Sequence, residues 1–164
     1  GTGVGGVLVI GGTPVHGAMH PELGHLRLRR ARGDSFPGAC SFHGDCIEGL
    51  VSGPALAARM GCDPAELPED DRRWHAVACD IAELVCAVLL MTAAQRVLIG
   101  GGVGLARASL LPLVRKQAVL RLGGYLTFFN TQSAEEIIRV PQLGHDAGPL
   151  GAIALANAAA EEQA

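Results

Sequence analysis

The chain has 164 residues, of which 49% are hydrophobic and 18% are charged, so it can bury one sizeable core. Thirteen basic and sixteen acidic residues give a formal net charge of −3, which excludes a general electrostatic attraction to nucleic acid or to an anionic membrane. The longest largely apolar stretch, residues 84–94, has eleven residues including Thr92, whereas a membrane-spanning helix needs about 20. Five cysteines, an odd number without a disulfide pattern, favour a reducing cytoplasm.

The N-terminal region predicts a β-hairpin. A β-branched run at residues 7–10 lies between a glycine-rich stretch and the pair Gly11-Gly12, which favours a strand followed by a tight turn. The chain begins Gly-Thr-Gly without a methionine, inside what looks like a functional loop. We therefore expect a fragment whose upstream partner is missing.

Two thiols and two imidazoles follow within 22 residues, namely His25, Cys40, His43 and Cys46. Zn²⁺ binds thiolate and imidazole together, and two-residue spacers on both sides of His43 let neighbouring ligands reach one ion from a tight turn at Gly44. Four protein ligands leave no open position, so the predicted zinc is structural. The alternative is that the cysteines are buried thiols and the histidines incidental loop residues.

The rest of the chain predicts alternating helices and strands, which indicates an α/β lobe. We expect extended segments over residues 15–28, a helix from residue 45 or 46 to 60 with a kink or break at Pro54, and a surface loop over 63–73. A long helix over 74–94 should bury one face, a strand over 96–99 should precede a helix over 105–120, and a strand over 137–140 should precede a last helix over 147–161. The predicted buried face consists of Trp74, Val77, Ile81, Leu84, Val88 and Met91.

Two glycine stretches are candidates for nucleotide binding. Residues 1–6, Gly-Thr-Gly-Val-Gly-Gly, would let a bulky anion approach the backbone amides, with the Thr2 hydroxyl as a further donor. The stretch Gly100-Gly101-Gly102 lies between a predicted strand and a predicted helix, where open α/β sheets bind ligands. The alternatives are a tight turn for the first stretch and close packing of a helix on a strand for the second.

Two carboxylates flank the predicted metal ligands. Glu22 lies three residues before His25, and Glu48 lies two residues after Cys46. A metal that stiffens the loop would hold both carboxylates ready to accept hydroxyl groups, as in sugar recognition. The alternatives are a favourable charge in the first turn of a helix for Glu48 and a solvated loop residue for Glu22.

These motifs, in this order, resemble the ROK family of sugar kinases and repressors. The resemblance rests on residues 1–6, the segments His20-Pro21-Glu22-Leu23-Gly24-His25 and 36–50, and the motifs Ser52-Gly53-Pro54-Ala55, 99–103 and Asp146-Ala147-Gly148. The histidine within Cys40-Ser41-Phe42-His43-Gly44-Asp45-Cys46 resembles the fructokinase branch.

The resemblance implies the C-terminal lobe of the actin/hexokinase-like (ribonuclease H-like) ATPase fold, with an inserted zinc-binding loop at about residues 20–48. Thr2, Gly3 and Gly5 would contact ATP phosphates, and Gly100, Gly101 and Gly102 would lie against the adenosine. Glu22, His25 and Glu48 would hold sugar hydroxyls, His25 would also bind zinc, and Mg²⁺ would accompany ATP.

The resemblance also implies what this chain lacks. The catalytic Asp of the family lies upstream, so no catalytic residue is expected here, and the 164 residues are expected to form a single lobe without its N-terminal partner. His145 stands where many relatives have Asp or Asn. The leading hypothesis is an enzyme of fructokinase type that binds a hexose and ATP and forms a homodimer. The alternatives are a sugar-sensing repressor and a truncated zinc-stabilised module without catalysis.

Overall fold

The computed structural model describes residues 2–161 of the chain, so Gly1 of the predicted phosphate loop lies outside the described residues. The helices are α1 (Ile47–Val51), α2 (Gly53–Met60), α3 (Arg73–Thr92), α4 (Gly101–Ala106), α5 (Leu110–Leu122), α6 (Thr131–Ile137) and α7 (Ala147–Glu161). The strands are β1 (Val9–Ile10), β2 (Thr13–Pro14), β3 (Val97–Leu98) and β4 (Ile138–Arg139). Short 3-10 turns lie at Leu23–His25, Pro64–Glu66 and Gly144–Asp146.

The strands form two small sheets. β1 and β2 make the predicted antiparallel hairpin, closed by Gly11 and Gly12 with φ of +59° and +84°. β3 pairs in parallel with β4, so residues 97–98 and 138–139 lie side by side although about forty residues separate them. The mixed α/β character of the chain is confirmed.

Helix α3 forms the centre of the core and packs mainly against α5 and α1. Trp74, Val77 and Ile81 are buried as predicted. Leu84 and Val88 are half-buried, but the prediction is wrong for Met91, which is 71% exposed, while Leu89, 1% exposed, is buried in its place. Nearly every position in this part of α3 is apolar, so periodicity offered several faces, and the position of α5 selects the one that is buried.

By length and composition alone, α3 could cross a membrane. A core helix of a globular domain has the same properties, and the buried residues of α3 belong to the main hydrophobic cluster. Cys79 and Cys86 lie on this helix and are 3% and 5% exposed, so both are small core residues. The Cys86 thiol donates to the carbonyl of Ala118 on α5, with a Sγ to O distance of 3.7 Å.

The expected break near Pro54 is confirmed. Ser52 ends α1 and caps α2, since its Oγ accepts a hydrogen bond of 3.4 Å from the backbone N–H of Ala55. Pro54 lies in the first turn of α2, where its missing N–H costs no helical hydrogen bond.

The structure corrects three predicted boundaries. The helix expected over 105–120 is two helices, α4 and α5, and α4 already begins at Gly101. Residues 15–28 contain a 3-10 turn, and the predicted surface loop over 63–73 contains another and buries Leu67. Helix α6 was not predicted, although Asn130 and Ser133 form the reciprocal hydrogen bonds of a capping box.

Candidate functional site

The four predicted metal ligands lie together beside the start of α1. A tight turn joins Cys40 and Gly44, whose backbones exchange two hydrogen bonds of 3.1 and 2.9 Å. Gly44 has φ +63°, and a Cβ on Gly49 would lie 1.9 Å from the Gly44 carbonyl oxygen, so glycine is required at both positions. A hydrogen bond of 3.0 Å from the Ile47 N–H to the Leu26 carbonyl joins this turn to the His25 segment.

The donor atoms of the cluster lie close enough together to bind one metal ion. His25 Nδ1 lies 3.8 Å from Cys40 Sγ, 3.7 Å from Cys46 Sγ and 3.2 Å from His43 Nδ1, and all four donors lie within 4.8 Å of one another. Zinc bonds of about 2.0 to 2.3 Å place tetrahedral ligands about 3.3 to 3.8 Å apart. The residues therefore fit Zn²⁺, and their role as its ligands remains a prediction.

The two thiols differ in acidity. The backbone amides of His43 and Phe42 stabilise the Cys40 thiolate and lower its pKa to about 6. Burial raises the pKa of Cys46 above its ordinary value. Cys40 is thus ready to bind a metal near neutral pH, whereas Cys46 must release its proton when a metal binds.

The His25 ring joins the donor cluster to the two predicted sugar-binding carboxylates. Its Nδ1 faces the cluster, and its Nε2 lies 4.0 Å from Glu22 Oε2 and 3.9 Å from Glu48 Oε1. These separations exceed those of direct hydrogen bonds and leave room for a hydroxyl group between ring and carboxylate. The other oxygen of Glu22 lies 2.7 Å from His20 Nε2, a contact that the sequence interpretation missed.

The first glycine stretch lies against this pocket. Thr2, Gly3 and Gly5 are exposed, and the backbone N–H of Val4 donates a hydrogen bond of 3.0 Å to Glu48 Oε2. The structure therefore brings the predicted phosphate loop and the predicted sugar residues together, although more than forty residues separate Val4 from Glu48.

The second glycine stretch lies at a different cleft. Gly100 precedes α4, Gly101 and Gly102 form its first turn, and Gly101 has φ +78°. Gly102 lines a cleft of about 850 Å³, whose described lining residues run from Gly53 to Arg107 and include none of residues 2–48. His145 is exposed in the 3-10 turn that contacts α4, so it lies near this stretch.

An ion-pair network missed by the sequence interpretation anchors the segment that carries the predicted metal ligands to the core. Arg59 donates hydrogen bonds of 2.7 Å to Asp80 Oδ2 and 2.5 Å to Asp34 Oδ2. Arg30 continues the network, with contacts of 2.7 Å to Asp34 and 3.6 Å to Asp45. Asp45 immediately precedes Cys46, so the network ends beside a predicted ligand. A lone aspartate within the apolar stretch of α3 was the available signal, because buried carboxylates require partners.

The pKa values of Asp80 and Asp34 are shifted in opposite directions. Burial raises the pKa of Asp80, and the Arg59 guanidinium only partly offsets it. Burial also acts to raise the pKa of Asp34, but hydrogen bonds from Arg30 and the Phe36 N–H, together with the charge of Arg59, lower it overall. The Arg59 charge therefore favours the ionised form of both carboxylates.

Sequence and structural comparisons define the class of protein. The ROK family model matches residues 1–159, and the chain belongs to the ROK family. It is 37% identical over 162 residues to a fructokinase of Zymomonas mobilis, covering 97% of this chain and 52% of that protein. It is 36% identical over 142 residues to a fructokinase of Lactococcus lactis subsp. cremoris, covering 86% and 48% of the two chains.

The fold agrees with that assignment. The crystal structure of a ROK hexokinase from Thermus thermophilus superposes with a TM-score of 0.69 at 25% identity, covering 92% of this chain and 52% of that one. The chain spans about half the length of the curated relatives that it matches.

Proposed function

We propose that this chain is the metal-bearing part of an ATP-dependent hexose kinase, with fructose, converted to fructose 6-phosphate, as the first candidate substrate. The observation that carries the proposal is the position of His25, whose Nδ1 faces a four-donor cluster and whose Nε2 faces Glu22 and Glu48. The similarity to fructokinases supports the choice of fructose and favours a kinase over a sugar-sensing repressor.

The metal site would act through geometry. His25, Cys40, His43 and Cys46 would hold Zn²⁺, which when bound supplies a rigid cross-link between the 3-10 turn at Leu23–His25 and the start of α1. Glu22 immediately precedes the first segment and Glu48 lies in the first turn of α1, so the two carboxylates would be held at a constant separation. Preorganised carboxylates bind sugar hydroxyls without first losing side-chain freedom.

The hydrogen-bonding groups of the pocket suit a hexose. Both carboxylates accept hydrogen bonds, and a hydroxyl placed between His25 Nε2 and Glu48 Oε1 could contact both groups. The side chains of His25 and Glu48 are 27% and 26% exposed, so a bound sugar would be partly withdrawn from water. Partial burial strengthens charge-assisted hydrogen bonds.

ATP would bind on the two glycine stretches. The Thr2 hydroxyl and the amides of Gly3 and Gly5 would contact phosphates, while Gly100, Gly101 and Gly102 would lie against the adenosine. The cleft lined by Gly102, Trp74 and α2 offers an apolar wall beside this stretch. Mg²⁺ would accompany the nucleotide and neutralise charge on its phosphates.

No residue of this chain is assigned as the catalytic base. An Asp supplied by the remainder of the kinase would take the proton from the reacting sugar hydroxyl. We therefore expect the 164-residue chain alone to phosphorylate no sugar, and addition of the upstream half to restore activity. The same proposal includes a homodimeric state and a cytoplasmic location for the whole protein.

The decisive experiment measures ADP release by the whole protein with fructose, mannose and glucose as separate substrates. Hexose-dependent ADP release with the highest kcat/KM for fructose is the expected result. Absence of ADP release with every hexose would refute the kinase assignment, and normal turnover by the 164-residue chain alone would place the base within it. Glu48→Gln should lower the sugar-dependent kcat/KM by about tenfold to a hundredfold, because it removes a charged acceptor.

A further inference from the structure

The two oxygens of the Glu48 carboxylate face different partners. Oε2 accepts the 3.0 Å hydrogen bond from the Val4 backbone N–H, and Oε1 lies 3.9 Å from His25 Nε2. Glu48 itself lies in the first turn of α1, two residues after Cys46. One oxygen therefore contacts the glycine loop while the other faces the pocket between His25 and Glu22.

Close packing holds the glycine loop in this position. A Cβ on Gly3 would lie 2.8 Å from Glu48 Oε2, and a Cβ on Gly24 would lie 1.9 Å from the Val4 carbonyl oxygen. Neither glycine has a positive φ, so the close approach of the neighbouring groups explains the absence of a side chain. Val4 is thus held from one side by Glu48 and from the other by the turn that contains His25.

We propose that Glu48 is a positioning residue for the phosphate loop, acting through the Val4 amide, and that it thereby couples hexose binding to nucleotide binding. The identity of the two ligands rests on the proposed function, but the Val4 contact does not. A hexose that hydrogen-bonds to Oε1 restrains the same carboxylate that restrains Val4. Each ligand should consequently increase the affinity for the other, since coupling between two sites is reciprocal.

Three substitutions separate the two roles of Glu48. Glu48→Gln keeps an oxygen that can accept from Val4 but removes the negative charge that faces the sugar. Glu48→Ala removes both contacts. Glu48→Asp keeps the charge on a side chain one methylene shorter, which withdraws it from Val4 and provides a second test if the alanine variant folds poorly.

The first measurement is hydrogen exchange at the Val4 amide in the zinc-loaded full chain. Exchange should be about tenfold to a hundredfold faster in Glu48→Ala and Glu48→Asp than in the unsubstituted chain, and nearly unchanged in Glu48→Gln. The Val15 amide, which donates a 2.8 Å hydrogen bond to the Leu8 carbonyl in the hairpin, is the internal control and should not change. Equal Val4 exchange in all four proteins would overturn the positioning role.

The second measurement is steady-state kinetics of the whole protein. Glu48→Gln should raise mainly the KM for hexose, whereas Glu48→Ala should also raise the KM for ATP about tenfold. Gly24→Ala should raise the KM for ATP by displacing Val4, and Gly17→Ala, which has open space around it, should change neither constant. An unchanged KM for ATP in both Glu48→Ala and Gly24→Ala would overturn the coupling. A whole protein that phosphorylates no hexose would refute the proposed function, while the Val4 exchange would still decide the positioning role.

Discussion

Replacement of Arg59 by methionine should destabilise the domain more than any substitution at its charged surface. The Arg59 side chain is 7% exposed, and its partners Asp80 and Asp34 are 1% and 10% exposed. Methionine fills a similar volume but leaves both carboxylates without their shared cation. Loss of one partner from a buried ion pair costs about 3 to 5 kcal/mol, because the remaining charge stays desolvated.

The expected shift in melting temperature follows from the length of the chain. An unfolding entropy of about 2.1 cal/mol/K per residue gives about 0.34 kcal/mol/K for a domain of this size, so the loss corresponds to about 9 to 15 °C. Differential scanning calorimetry of the zinc-loaded protein measures this shift directly. Arg27→Met is the matched control, because Arg27 pairs with Asp45 while its side chain is 67% exposed, and it should cost at most about 1 kcal/mol.

A second substitution tests the physical reason for the loss. In the double variant Arg59→Met with Asp80→Asn, the buried carboxylate is replaced by a neutral group of similar shape, so part of the lost stability should return. Equal melting temperatures for Arg59→Met and Arg27→Met would refute the proposed role of burial. A double variant no more stable than Arg59→Met alone would show that the desolvated charge of an unpaired Asp80 is not the cause.

Three further predictions concern the metal site and the core. Elemental analysis should find one zinc per chain, and the zinc should be lost in Cys40→Ser and His43→Ala. Cys62→Ser is the control and should retain zinc, because its thiol lies outside the cluster. Natively folded, thiol-reduced protein that contains no zinc would contradict the site. In the metal-free protein, the rate of Cys40 alkylation should increase with pH and reach half its maximum at about pH 6. The reason is that only the thiolate reacts and that the pKa of the Cys40 thiol is lowered to about 6. Cys86, whose pKa burial raises to about 11, should react last, and equal rates for the two at pH 7 would contradict the assignment. In urea unfolding, Leu89→Ala should lower the free energy of unfolding by about 2 to 5 kcal/mol, because Leu89 is 1% exposed. Met91→Ala should lower it by at most about 0.5 kcal/mol, because Met91 is 71% exposed. The opposite order would support the buried face that periodicity predicts.

Local chemistry explains why much of the chain could be predicted from sequence. Three of the four predicted metal ligands, Cys40, His43 and Cys46, lie within a segment of seven residues, so this part of the donor cluster is visible without coordinates. The hairpin depends on Gly11 and Gly12, and the break between α1 and α2 depends on Ser52 and Pro54, which act within a few residues of themselves. Features of this kind are determined by the sequence itself, because the groups that decide them are neighbours along the chain.

Tertiary structure decided the features that depend on distant partners. The buried face of α3 could not be selected from an almost entirely apolar segment, and the docking of α5 settled it. The two partners of Arg59, Asp80 and Asp34, lie 21 and 25 residues away, and the oxygen that Val4 contacts belongs to a residue 44 positions along the chain. Hydrophobic burial is non-directional and hydrogen bonds require specific geometry, so only the folded chain determines which of many compatible groups meet.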